Sequence, residues 1–204
     1  LTQLFAKLHG LAVEIGDDNA RAVSVGLLSN INAPYLFVVV GEVKAGKSSF
    51  VNRLLGDEVC RVAPDPCTDV IEKIMYAEEP YTVSREEFLR EIGLDKDILR
   101  EIAIVDTPGT NSVVERHQEI TEGFIPESDL VIFVFPALNP YAKSAWDMLG
   151  FVRDEWRKKV IFVLQQSDRA SEEELAVNVS RVKEYALEKG MENSLIFPTS
   201  ATTG

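Results

Sequence analysis

The octapeptide Gly41-Glu42-Val43-Lys44-Ala45-Gly46-Lys47-Ser48 constrains this chain more than any other stretch, because of what flanks it. Before it runs 35–40 (YLFVVV), a continuous β-branched and aromatic segment of the kind that forms a strand buried on both faces. After it, Phe50, Val51, Leu54 and Leu55 recur at helical spacing, so a helix is expected to open at Ser48. Strand, glycine-containing turn and helix are the setting in which G-x-x-x-x-G-K-[ST] holds phosphate. Glycines let backbone N–H groups converge on phosphate oxygens, and the helix N-terminus adds free donors and the positive end of its dipole. In such a loop Lys47 neutralises the outer phosphates and the Ser48 hydroxyl ligates Mg²⁺. Glu42, Val43, Lys44, Ala45, Gly46, Lys47, Ser48 and Ser49 are therefore the expected phosphate-binding residues.

The rest of the chain alternates apolar runs with helical periodicity. Strands are expected at 70–76, 102–105, 130–135, 160–164 and 195–197, and helices at 142–157 and 171–188. Ser84 followed three residues later by Glu87 resembles a capping box, which predicts a helix from there to Arg90. Leu4, Phe5, Leu8, Leu11 and Ala12 predict a helix near the amino terminus, and Gly16-Asp17-Asp18 a break before a second one. The fold class is therefore α/β: a three-layer P-loop nucleoside-triphosphatase fold with a mostly parallel central sheet, plus an N-terminal helical segment. Residues 1–32 are assigned to that segment and 33–204 to the nucleotide domain. Leu1 is not a methionine and no closing helix follows Thr199-Ser200-Ala201, so the expectation is a piece of a larger protein, truncated at the C-terminus.

Four further elements narrow the nucleotide. Val105-Asp106-Thr107-Pro108-Gly109 stands at the carboxyl end of an apolar strand, where open α/β sheets bind ligands. Asp106 there can hold Mg²⁺ through water, and the Gly109 N–H can meet a γ-phosphate and let go after hydrolysis. Pro66-Cys67-Thr68 lies between this strand and the phosphate loop; Thr68 can offer its hydroxyl to Mg²⁺ and its N–H to the γ-phosphate. After 160–164 comes Gln165-Gln166-Ser167-Asp168, where a guanine-reading loop carries [NT]-K-x-D. Asp168 can accept two hydrogen bonds from guanine N1 and N2, which adenine cannot supply. Gln166 replaces the lysine along the base, and Ser200-Ala201 follow the last strand, where backbone N–H groups can reach guanine O6. GTP or GDP with Mg²⁺ is the expected ligand, and an ATPase on the same fold is the alternative these residues leave open.

Composition bounds the partners. A formal net charge of −12 over 204 residues repels phosphate backbones, so no nucleic-acid partner is expected. Arg153, Arg157, Lys158 and Lys159 read as a solvated helix face. Two cysteines, Cys60 and Cys67, make neither a disulfide scaffold nor a zinc site and are expected to be reduced thiols in a cytoplasmic protein. No apolar run approaches the ~20 residues a membrane-spanning helix needs.

Taken together, residues 41–52, Pro66-Cys67-Thr68 and Asp106-Thr107-Pro108-Gly109 give residues 35–204 a resemblance to the dynamin superfamily of large GTPases, most closely bacterial dynamin-like proteins. The resemblance implies GTP hydrolysis, a homodimer through the GTPase domain, and membrane contact only through regions absent here, with peripheral membrane localisation of the full-length protein. Residues 1–31 suit the flanking helices that would pass motion to a stalk. Thr110 stands where small Ras-like GTPases orient water with a glutamine. Related GTPases that dimerise across the nucleotide place a cation-binding residue or an arginine at the position of Lys44. The resemblance thus implies that the Lys44 ammonium substitutes for a bound potassium or sodium ion. Lys44, Lys47, Thr68 and Gly109 are the expected catalytic residues, and Ser48, Thr68 and Asp106 the expected metal ligands. A stand-alone regulatory GTPase of the ribosome-assembly or tRNA-modification kind, and a slowly hydrolysing nucleotide-binding scaffold, are the competing functional readings.

Overall fold

The computed structural model describes residues 2–31, 33–60, 70–86, 88–109 and 120–203. The chain divides into two units, Leu1–Pro34 and Tyr35–Gly204. In the first, α1 (Thr2–Glu14) and α2 (Asp18–Ile31) pack on each other. Asp17 starts α2 by accepting the Ala20 N–H at 2.9 Å, a side-chain cap for one orphan donor. Between the helices His9 Nδ1 lies 2.9 Å from Ser24 Oγ. That hydroxyl donates to Arg21 O, which leaves His9 Nδ1–H as the donor of the pair.

In the second unit eight strands form one sheet in the order β3-β4-β2-β5-β1-β6-β7-β8. They are β1 (Tyr35–Gly41), β2 (Ile71–Tyr76), β3 (Tyr81–Glu86), β4 (Leu89–Leu94), β5 (Ile102–Asp106), β6 (Leu130–Pro136), β7 (Val160–Gln165) and β8 (Leu195–Thr199). All pairings are parallel except β2 with β5 and β3 with β4. The helices of this unit include α3 (Lys47–Leu55), α4 (Ile125–Glu127), α5 (Lys143–Phe151), α6 (Asp154–Arg157) and α7 (Glu172–Glu188). Both faces of the central strands are covered, which explains their unbroken apolar runs. Along β6, Val131, Phe133 and Phe135 enter one core with Trp146, Phe162 and Val182. Ile132 and Val134 enter the other with Val51, Leu55, Ile74 and Ile104. The first core is aromatic: the Phe135 ring lies 5.1 Å from Trp146 and 6.0 Å from Phe162, centroid to centroid.

The structure corrects the helix expected from Ser84 to Arg90, because β3 and β4 occupy that stretch. Tyr81 and Val83 alternate with Thr82 and Ser84, and Ser84 pairs with Arg90 across the ladder. Pairing with β2, which buries Ile92, overrides a local capping pattern. The helix expected over 142–157 is likewise two, α5 and α6, because Val152 turns extended to bury its side chain in the aromatic core. Within the basic stretch beyond it, Arg157 donates to Val152 O and Lys189 O, and Lys159 to Pro126 O and Ser128 O. Two of those four cations are thus tied to backbone carbonyls. The start of α7 is set locally, by a capping box in which Ser171 and Glu174 exchange hydrogen bonds.

Truncating Phe162, fully buried among Phe133, Phe135 and Trp146, removes the centre of the aromatic core. Phe162→Ala is expected to lower unfolding free energy by about 3–5 kcal/mol, read from urea denaturation followed by tryptophan fluorescence.

Candidate nucleotide-binding site

Parallel pairing brings the carboxyl ends of β1, β5, β6, β7 and β8 to one edge of the sheet. The phosphate loop leaves β1 at this edge, Asp106 ends β5, Gln165 ends β7 and Thr199 ends β8. The motifs separated in the sequence therefore meet there, as expected for a crevice at strand ends.

The loop itself is shaped for an anion. Gly46 precedes α3 at φ +93°, a left-handed conformation, and a Cβ there would lie 2.7 Å from Gln165 Cγ. No side chain caps α3, in contrast to α7, so its first N–H groups take no bond from the cap residue. Lys44 holds φ +65°, unusual for a residue with a side chain, and points that side chain into solvent. Lys47, buried beneath the loop, donates to Gly41 O at 3.1 Å and Glu42 O at 2.9 Å. Glu42 in turn accepts a hydrogen bond from the Ser144 hydroxyl of α5.

Ser48 on α3 donates its hydroxyl to Asp106 Oδ2 at 2.7 Å, linking the phosphate loop to β5. Asp106 is 3% exposed, and its other oxygen, Oδ1, has no hydrogen-bond partner among the described residues. Burial pushes the Asp106 carboxyl above the usual range, against the pull of Lys47 and the Ser48 hydrogen bond. Burial likewise lowers the Lys47 ammonium, against the attraction of Asp106 and Glu42. A hydroxyl beside a carboxylate with an oxygen to spare is a hard-oxygen donor set, and it fits Mg²⁺. Thr68, the third expected ligand, lies outside the described residues, as do Cys67 and Thr110.

Gly109 follows closely. A Cβ on it would come within 2.4 Å of Val43 N, so only glycine lets this backbone lie against the phosphate loop. Thr107 holds the segment in place through its hydroxyl, which donates to Val39 O at 2.8 Å.

On the base side, Gln165 does what the sequence did not reveal. Its side chain is buried, and its Oε1 accepts from Gln166 N at 2.9 Å and from the Thr199 hydroxyl at 3.1 Å. It thereby ties the loop after β7 to the loop after β8. Gln166, at φ +66°, reaches Lys44 O through Nε2 at 3.4 Å and accepts from Arg169 Nη1 at 2.9 Å. Asp168 is exposed and takes no hydrogen bond or ion pair from the described residues. Since Ser171 caps α7, no capping role falls to Asp168. Ser200 is buried, its hydroxyl accepting from Thr202 N and Thr203 N, and Ala201 borders the same surface hollow as Ser49 and Asn52. The structure thus gathers Glu42–Ser49, Asp106, Gly109 and Gln166 around the phosphate loop and brings the Ser200–Ala201 loop beside α3. Glu72 and Cys60, buried behind Asp106, carried no sequence signal, because only the cross-strand register reveals them.

The family model described as the Dynamin family matches residues 37–101 and 94–167. "Probable transmembrane GTPase FZO-like, chloroplastic" of Arabidopsis thaliana is 35% identical over 87% of this chain, which spans 20% of that protein. The tRNA modification GTPase MnmE of Thermotoga petrophila is 28% identical over 83% of this chain and 36% of its own length. A solved structure of an oligomerised bacterial dynamin pair superposes with a TM-score of 0.71 at 19% identity, covering 97% of this chain and 45% of the other. Matched in two overlapping segments that together run from within β1 through the phosphate loop to residue 167, well over half of its length, this chain belongs to the dynamin family of GTPases.

Proposed function

We propose that the chain binds and hydrolyses GTP with Mg²⁺, as the head of a longer dynamin-like protein that dimerises across the nucleotide and remodels membranes. The observation that carries this reading is the Ser48–Asp106 hydrogen bond, with Asp106 Oδ1 buried and without a hydrogen-bond partner among the described residues. Ser48, Asp106 and Thr68 would hold the ion, which supplies charge neutralisation on the outer phosphates when bound. Lys47 is already drawn under the loop and exchanges carbonyl oxygens for phosphate oxygens. The N–H groups of Glu42–Ser49 line the phosphates, Gly109 and Thr68 sense the γ-phosphate, and Lys44 supplies positive charge where negative charge develops. Asp168 reads the guanine edge, Gln166 lies along the base, and Ser200 and Ala201 offer backbone donors to its carbonyl. Residues 1–32 serve as the flanking helices that precede a GTPase domain at 33–204.

The remodelling role draws support from relatives. The Arabidopsis protein carries a transmembrane GTPase name, and the bacterial pair is described as sensing and tethering membranes. Among the described residues no helix is long and apolar enough to cross a membrane. Membrane contact is therefore assigned to other parts of the full-length protein, which is cytoplasmic and peripheral in this reading. The similarity to MnmE favours a second reading, a regulatory GTPase of the tRNA-modification kind. Liposome sedimentation of the full-length protein separates the two.

Turnover per molecule is expected to rise with protein concentration, as head-to-head dimerisation requires; a flat profile removes the dimer from the mechanism. Asp168→Ala is expected to weaken GTP binding about 100-fold while leaving ATP binding unchanged, since each charged hydrogen bond contributes roughly 1.5–3 kcal/mol. Equal loss for both nucleotides in a fluorescence titration would disprove base reading by this residue. Lys44→Ala is expected to reduce turnover by about 10–100-fold, less than the roughly 10³–10⁵ of an arginine finger. The wild-type rate should be indifferent to potassium; identical rates for both proteins at every potassium concentration would end the proposed role of Lys44.

A further inference from the structure

Glu72 and Asp106 are the two acidic residues buried among the described residues, at 2% and 3% exposure. They are register partners across β2 and β5, and Glu72 is also the register partner of Arg90 across β2 and β4. Arg90, Glu72 and Asp106 thus form one row over three adjacent strands. Arg90 Nη1 donates to Glu72 Oε1 at 2.9 Å, from a side chain 30% exposed against 3% for Glu72. The cation stands toward solvent and the carboxylate toward Asp106. Cys60 completes the group: its Sγ and one carboxylate oxygen from each acid lie within 4.8 Å of one another. The thiol is set there from α3, because Asn52 Nδ2 donates to Cys60 O and Asn52 Oδ1 accepts from Cys60 N at 2.7 Å.

Two carboxylates this close in a protein interior repel each other, and burying an ion pair is a poor source of stability in itself. The arrangement is favourable only where further positive charge faces the pair. Lys47 supplies part of it. The rest of the row points at the donor set formed by Ser48 and Asp106.

We propose that Glu72 is a positioning residue for the magnesium site: held by Arg90 and spaced from Asp106 by the Cys60 thiol, its carboxylate keeps Asp106 turned to Ser48 and adds a second negative charge that tightens the divalent cation. This rests on the magnesium reading above. Glu72 touches neither nucleotide nor metal; it acts through Asp106.

The test uses the full chain loaded with a fluorescent GDP, whose release is followed while Mg²⁺ is titrated, together with Mn²⁺ binding to the GDP complex measured by electron paramagnetic resonance. Glu72→Gln is expected to raise the Mg²⁺ concentration for half-maximal slowing of release about tenfold, the effect of one buried charge at short range, and to weaken Mn²⁺ by the same factor. Release in EDTA should stay within about twofold of wild type, since no cation is then present to feel the charge. Glu72→Asp, which keeps the charge, should restore part of the loss. An unchanged midpoint overturns the proposal. So does faster release in EDTA by the same factor, which would make Glu72 merely structural. If Glu72→Gln does not fold, Glu72→Met combined with Arg90→Met removes the whole ion pair, an exchange that buried pairs often tolerate. A smaller rise in the same direction is expected there, because the more distant Arg90 charge is lost as well, and its absence is equally decisive. Wild-type release that ignores Mg²⁺ would instead strike down the magnesium reading, a result distinct from any behaviour of position 72.

Discussion

The contact between Ser48 Oγ and Asp106 Oδ2 organises everything around it. It joins the first turn of α3 to the end of β5, two elements that are far apart in the chain and adjacent only because β1 pairs with β5 in parallel. Asp106 could not stay charged in so dry a place on its own, since burial raises its carboxyl. Lys47 and the Ser48 hydroxyl offset that penalty in part, and Oδ1 has no hydrogen-bond partner among the described residues. Burial and its neighbours therefore pull the Asp106 carboxyl in opposite directions, and burial prevails.

The surrounding scaffold is what permits such a group to exist. Fully buried strands with apolar residues on both faces keep water away from the sheet, and the aromatic cluster of Phe133, Phe135, Trp146 and Phe162 fixes the strands on which the base-side loop is hung. Gln165, at the end of β7, extends this rigidity into the loops. By bonding both Gln166 N and Thr199 it makes the ends of two neighbouring strands into one platform.

How much of this was readable beforehand follows from the range of the interactions concerned. The phosphate loop, the strand ending at Asp106 and the central apolar strands depend on local pattern, and the family match covers the same residues. What local pattern misjudged was 84–90, where Ser84 has the chemistry of a helix start but Tyr81, Val83 and Ile92 have the spacing of a hairpin that β2 can accept. What it could not contain was register. Glu72 facing both Arg90 and Asp106, or Gln165 bridging two strand ends, follows from which residues stand opposite each other in three dimensions. The departure from [NT]-K-x-D was visible as a loss; that Gln165 and Gln166 make new bonds in exchange was not.

One of those bonds couples two loops. Because Gln166 grips the carbonyl of Lys44 while Arg169 grips Gln166, the loop after β7 and the phosphate loop share a latch. Lys44 already sits in a left-handed backbone conformation that few side chains favour, so it has little freedom to adjust by itself. A shift of the loop after β7 would pull on that latch and displace the peptide groups of the phosphate loop. Movement in the loop after β7 then reaches the phosphate loop through the protein backbone itself, with no third element in between.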